Sequence, residues 1–155
     1  SSQQPPSVTT PAPQAAAPEP QSSTTAALPA PPQTTRGEGR TESRQAQSEP
    51  LIARGDDYLV TADLDMARTF YQMAYERGSA EAAVRMGWTF DPQYFQRAGA
   101  RGEASPREAI LWYQEALRRG SRQASERLSA LATWLQSAAA SGDQEAQRIL
   151  RLWQG

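Results

Sequence analysis

The chain of 155 residues contains no cysteine and no histidine. Thiol chemistry, histidine-activated nucleophiles and the usual Cys/His zinc sites are therefore excluded. The lack of cysteine is compatible with every redox compartment. Lysine and asparagine are also missing, and all 16 basic side chains are arginine. Arginine, alanine, proline and glycine come from GC-rich codons and lysine and asparagine from AT-rich ones, so the usage points to a GC-rich bacterial genome. No apolar run approaches the roughly 20 residues of a bilayer span. Nor does one sign of charge dominate: residues 51–155 hold 13 Arg against 13 Asp plus Glu, with no basic run. A nucleic-acid partner normally demands such an excess, and none is expected.

What is present divides the chain near residue 50. Ten of the 12 prolines fall in residues 1–50, and all 12 aromatic residues follow them. A segment of Ser, Thr, Gln, Ala and Pro buries too little to offset the entropy of ordering it. Residues 1–49 are accordingly expected to be a disordered tether, extended where proline clusters. Residues 50–155 suffice for one small domain. Because the chain begins at Ser1 without a methionine, a signal peptide or membrane anchor upstream is an expectation.

Beyond residue 50 the apolar spacing is helical. Ala67, Phe70, Tyr71, Ala74 and Tyr75 follow i, i+3, i+4, i+7, i+8, and Ala109, Trp112, Tyr113, Ala116 and Leu117 repeat the pattern 42 residues later. A third copy, shifted by 22, runs through Leu131, Trp134, Leu135, Ala138 and Ala139. Each ends in a glycine (Gly78, Gly120, Gly142) followed by a capping residue (Ser79, Ser121, Asp143), with Ala82, Ala124 or Ala146 three positions on. Helices are predicted near 51–60, 65–77, 80–90, 106–119, 122–140 and 143–153. No segment has the period-2 alternation of a strand. The small residues allow close helix approach, and the aromatic pairs fill the adjacent grooves.

The pattern A-x2-[FW]-Y-x2-A-x3-G, followed by [SD]-x2-A-x3-[LM], resembles the Sel-one-like repeat, a relative of the tetratricopeptide repeat. Ala67, Phe70, Tyr71, Ala74 and Gly78 carry one copy, and Ala109, Trp112, Tyr113, Ala116 and Gly120 the next. Ala82, Met86, Gly87 and Phe90 resemble the family's other helix. The resemblance implies an all-α fold, a short irregular α/α solenoid of helical hairpins over about residues 50–150, used for protein–protein contact. Three departures stand out. No glycine follows Tyr58, where the chain reads "LVTADLD". The connection after Phe90, "DPQYFQRAGARGEAS", is longer than the pattern wants. The third unit lacks the connection altogether.

Candidate sites lie where the pattern is not repeated. The insert 91–105 opens with Asp91-Pro92, a helix start or turn, and presents Tyr94, Phe95, Arg97 and Arg101. Aromatic and arginine side chains are enriched at interface hot spots. The competing reading is a short helix that plugs a gap between units with both rings in the core. Trp88 lies about half a turn off the Ala82–Met86–Phe90 line, as an exposed contact or as a neighbour of the insert. Trp112 and Trp134 are expected in the core, and Trp153 as a cap on the last helix. The carboxylate pairs Asp56-Asp57 and Asp63-x-Asp65 have the residue types for acid–base work or a divalent cation, but Asp63 or Asp65 is placed to cap a helix.

The expected function is that of a non-catalytic scaffold or adaptor that binds another protein from a flexible tether, without cofactor, metal or small-molecule substrate. The expected location is the periplasmic side of a bacterial cell envelope, with the cytoplasm as the alternative. A structural subunit of a membrane complex or homo-oligomer is the second reading. An enzyme working through carboxylates is the third.

Overall fold

A computed structural model describes residue 3 and residues 35–153. The described chain is all-helical. Its seven helices are α1 (Thr35–Val60), α2 (Leu64–Glu76), α3 (Ala80–Trp88), α4 (Pro92–Ala98), α5 (Pro106–Arg118), α6 (Arg122–Ala140) and α7 (Gln144–Trp153). α1 packs on α2, α2 on α3, α3 on α5, α5 on α6 and α6 on α7.

The helix order matches the apolar spacing, with one correction and one addition. First, α1 begins at Thr35, so the boundary placed at residue 50 falls inside a helix. The rest of the expected tether, apart from residue 3, lies outside the described residues. Proline near a helix start reads as punctuation, but Pro50 sits within α1, which runs on without that residue's N–H. Ser48 seats this extension. It is 1% exposed, and its hydroxyl donates to Arg44 O at 2.8 Å and reaches Ala74 O on α2 at 3.5 Å. Second, the insert forms a helix of its own, α4, as the gap-plugging reading expects.

Caps define the starts. The Asp63 side chain accepts from Met66 N–H, that of Ser79 from Ala82 N–H and that of Asp143 from Ala146 N–H. Ser121 sits at the corresponding position of α6 but makes no such bond. Gly78, Gly120 and Gly142, the expected stops, all have positive φ. Where the pattern wants a glycine between α1 and α2, Ala62 adopts φ 58°, the one non-glycine among the described residues to do so.

The interior has two parts. Leu59, Leu64, Ala67, Tyr71, Met86 and Phe95 form one. Residues of α3, α5, α6 and α7, among them Val84, Tyr113, Leu131, Leu135 and Ile149, form the other. Trp88 and Trp112 pack against both. Trp134 and Trp153 are partly buried against the second part.

One arrangement occurs twice. Gly55 lies under the ring of Tyr71, and Gly87 under that of Tyr113. At either glycine a Cβ would come within 2.9 Å of three ring atoms. Both tyrosines are fully buried. Tyr71 donates its hydroxyl to Asp56 Oδ1 at 2.6 Å, and Tyr113 donates its own to Asp91 Oδ2 at 2.7 Å. Burial and the neighbouring carboxylate push both phenols up from the ordinary tyrosine range. α2 and α5 meet laterally: Tyr75 and Trp112 pack edge to face, and Tyr75 OH donates to Glu115 at 2.9 Å.

Candidate partner-binding surface

α4 is short, so its position depends on what holds its ends. Asp91 caps it, accepting from Gln93 N–H at 2.8 Å, with Pro92 supplying the preset φ of a first turn. The same carboxylate accepts from Tyr113 on α5. Gln93 Nε2 donates to Ala130 O on α6 at 3.0 Å, and Tyr94 OH to Leu59 O on α1 at 3.1 Å. Ser105 N–H donates to Phe90 O at 2.8 Å, closing the insert at its base. The insert thus has fixed contacts to three other helices.

Between α3, α4 and α6 lies an open concavity of about 320 Å³, lined by Trp88, Tyr94, Arg97, Ala98 and Arg127. Three guanidinium groups stand near its aromatic wall. Those of Arg85 and Arg127 lie 4.2 and 4.9 Å from the Trp88 ring centroid. Arg97 is exposed, with Nε donating to Gln93 O at 3.3 Å. Arg85 is matched in charge by carboxylates: its Nε lies 3.1 Å from Asp56 Oδ1, without the alignment of a hydrogen bond, and its Nη2 3.3 Å from Glu81 Oε1. Trp88 Nε1 is buried with no acceptor among the described residues. Burial, with Asp56 nearby, raises the Tyr94 phenol.

Three of the five expected contact residues, Trp88, Tyr94 and Arg97, come together here. The other two do not join them. Phe95 turns into the interior and is 9% exposed, so half of the core reading of the insert holds. Tyr94 is split between the two readings: its hydroxyl is tied to α1, while its ring borders the concavity. Arg101 borders a different, mixed-charge hollow of about 530 Å³ that also takes in Asp63, Asp65, Arg68 and Glu103. Trp88 is half-buried and borders the hollow beside Tyr94, Arg97 and Ala98 of the insert.

Arg127 also lines the hollow, although no motif in the sequence singles it out. It stands three residues after Ala124 and four before Leu131, both fully buried, so it flanks the apolar stripe of α6. That spacing was the available signal. Two of the four carboxylates are tied into the structure, Asp56 to Tyr71 and Arg85 and Asp63 as the α2 cap, whereas Asp57 and Asp65 are exposed, Asp65 3.7 Å from Arg68. Among the described residues no three Asp or Glu side chains gather as a cation site would need.

No protein-family model matches this chain, and neither does any curated protein or solved structure.

Proposed function

We propose that the folded part of this chain is a non-catalytic protein-binding domain whose contact surface is the concavity between α3, α4 and α6. The observation that carries the reading is the convergence of Trp88, Tyr94, Arg97 and Arg127 on one open hollow held by fixed side-chain bonds. Aromatic and arginine anchors on a rigid support are what interface hot spots are made of. The scaffold beneath it is read as a short, irregular solenoid of Sel-one-like hairpins. Its support is the twice-used seat of a tyrosine on a helix glycine, Tyr71 on Gly55 and Tyr113 on Gly87. The placement in a bacterial envelope, on an N-terminal tether, rests on composition. Among the described residues no helix is long and apolar enough to cross a membrane.

Site-specific photo-crosslinking in the producing cell tests the proposal. A photoreactive amino acid at Ala98, exposed at the rim, should give one discrete heterologous adduct. The same group at exposed Leu152 on α7 should not, and Trp88→Ala should abolish the Ala98 adduct. An adduct of twice the chain mass would favour self-association. Equal adducts at both positions, or none, would sink the proposal.

A further inference from the structure

The geometry points to the chemistry this hollow grips: a carboxylate on an extended, acidic peptide segment of the partner. The inference rests on the protein-binding reading above and goes further by naming what is recognised. Of the three guanidinium groups at the site, Arg85 is neutralised by Asp56 and Glu81. Arg97 and Arg127 have no carboxylate within ion-pair distance among the described residues. Arg97 spends one donor on a backbone carbonyl, and Arg127 rests on the Trp88 ring. Each keeps a planar fork of donors suited to two carboxylate oxygens.

The carboxylate at the start of α4 forms no ion pair with them. Asp91 is 2% exposed, and its two oxygens are taken by Gln93 N–H and Tyr113 OH. Around the unmatched pair the lining is apolar: Trp88, Tyr94 and the Ala98 methyl. A volume of about 320 Å³ is near the lower end of ligand-holding clefts, which run from about 300 to 1,000 Å³. The hollow thus offers two arginine forks to one acid, and an apolar ledge to the residue beside it. A polyanion such as RNA would need the positive charge to continue as a stripe. Residues 35–153 instead balance 16 Arg with 16 Asp plus Glu, and a single small hollow fits a single acid.

The test is an octapeptide positional-scanning library, one position fixed as Asp, Glu, Asn or Gln, presented to the immobilised full chain. Peptides with Asp or Glu should bind at least about tenfold better than their amide counterparts, as charge-assisted bonds to arginine require. R97Q and R127Q should each reduce that preference about tenfold with helical circular dichroism unchanged. R151Q, on the exposed face of α7, should keep it. Equal binding of acids and amides overturns the inference, as does retained preference in both R97Q and R127Q, or no peptide bound at all. A mixed-sequence RNA 12-mer that displaces the acidic peptides also overturns it. If the acid preference fails while the Ala98 adduct persists, the protein-binding reading stands and only the ligand chemistry is wrong.

Discussion

Gly87 is where a single methyl group tests the packing most sharply. A Cβ there would lie within 2.9 Å of three Tyr113 ring atoms, whereas carbon atoms prefer about 3.5–4.0 Å. The ring would have to retreat by roughly 1 Å. Tyr113 is fully buried. The same retreat would draw its hydroxyl off Asp91, now 2.7 Å away and itself buried. Overpacking of this kind costs about 1–3 kcal/mol. A buried hydrogen bond broken with both partners left enclosed adds about 1–3 kcal/mol. Against this, alanine in a helix interior is about 1 kcal/mol better than glycine. Gly87→Ala should therefore destabilise by about 3 kcal/mol, within a range of roughly 1–5.

The assay is urea unfolding followed by far-ultraviolet circular dichroism. With a slope of about 1.5 kcal/mol/M, the midpoint should fall by about 2 M. Gly39→Ala is the internal comparison. Gly39 lies in α1 with nothing within 4 Å of its would-be Cβ, so only the propensity gain operates. It should be neutral or stabilising by up to about 1 kcal/mol. Gly55→Ala, beneath Tyr71, should behave like Gly87→Ala. The reasoning is refuted if Gly87→Ala unfolds at or above the wild-type midpoint, or if it and Gly39→Ala shift in the same direction.

Two further perturbations act at single points. Ala62 holds a left-handed φ of 58°, a conformation costing a residue with a Cβ about 1–2 kcal/mol. Ala62→Gly removes that strain and adds chain entropy to the unfolded state, a cost of about 0.5–1 kcal/mol. The net gain should be up to about 1.5 kcal/mol, read as a raised urea midpoint; a lowered one contradicts the strain. Glu115 titrates where α2 meets α5. Hydrogen bonds from Arg118 and Arg119, and then from Tyr75, hold its carboxyl down at about 2, against an ordinary 4.5. A depressed folded pKa gives stability that is present above the unfolded value and lost as pH falls through the folded one. The stability difference between wild type and Glu115→Gln should be constant above about pH 5 and shrink between pH 4.5 and 2. A difference that does not change across that window contradicts the assignment.

Local chemistry was legible and distant neighbours were not. Helix positions followed from the spacing of Ala67, Tyr71 and Ala74, and of Ala109, Tyr113 and Ala116, since a period of 3.6 needs no knowledge of what it faces. Asp63 and Ser79 announced their caps because a cap bonds within three residues. Pro50 misled because a helix can pass through a proline when packing beyond it, here through Ser48, holds the chain in register. The hollow depends on bonds such as Gln93 to Ala130 and Tyr94 to Leu59, 37 and 35 residues apart, which no periodicity records. Spacing places Arg127 at the edge of the α6 stripe, but no spacing pairs it with Trp88.

The two tyrosine seats show why likeness in sequence understates likeness in structure. Read along the chain, the shared Tyr71 and Tyr113 are packing residues. In the fold each also carries a hydroxyl that must be satisfied once buried, and each finds an aspartate. Those aspartates do not align. Asp56 follows Gly55 directly, whereas Asp91 stands four residues after Gly87, beyond the end of α3. What recurs is a physical requirement, a ring on a bare helix backbone with an acceptor at its tip, met from two sequence positions. The second solution draws the acceptor from the start of α4, so burying Tyr113 fixes the insert in place. The segment that departs most from the repeated pattern is held by the residue that most defines it, and that segment brings Arg97 to the hollow that Trp88 and Arg127 also line.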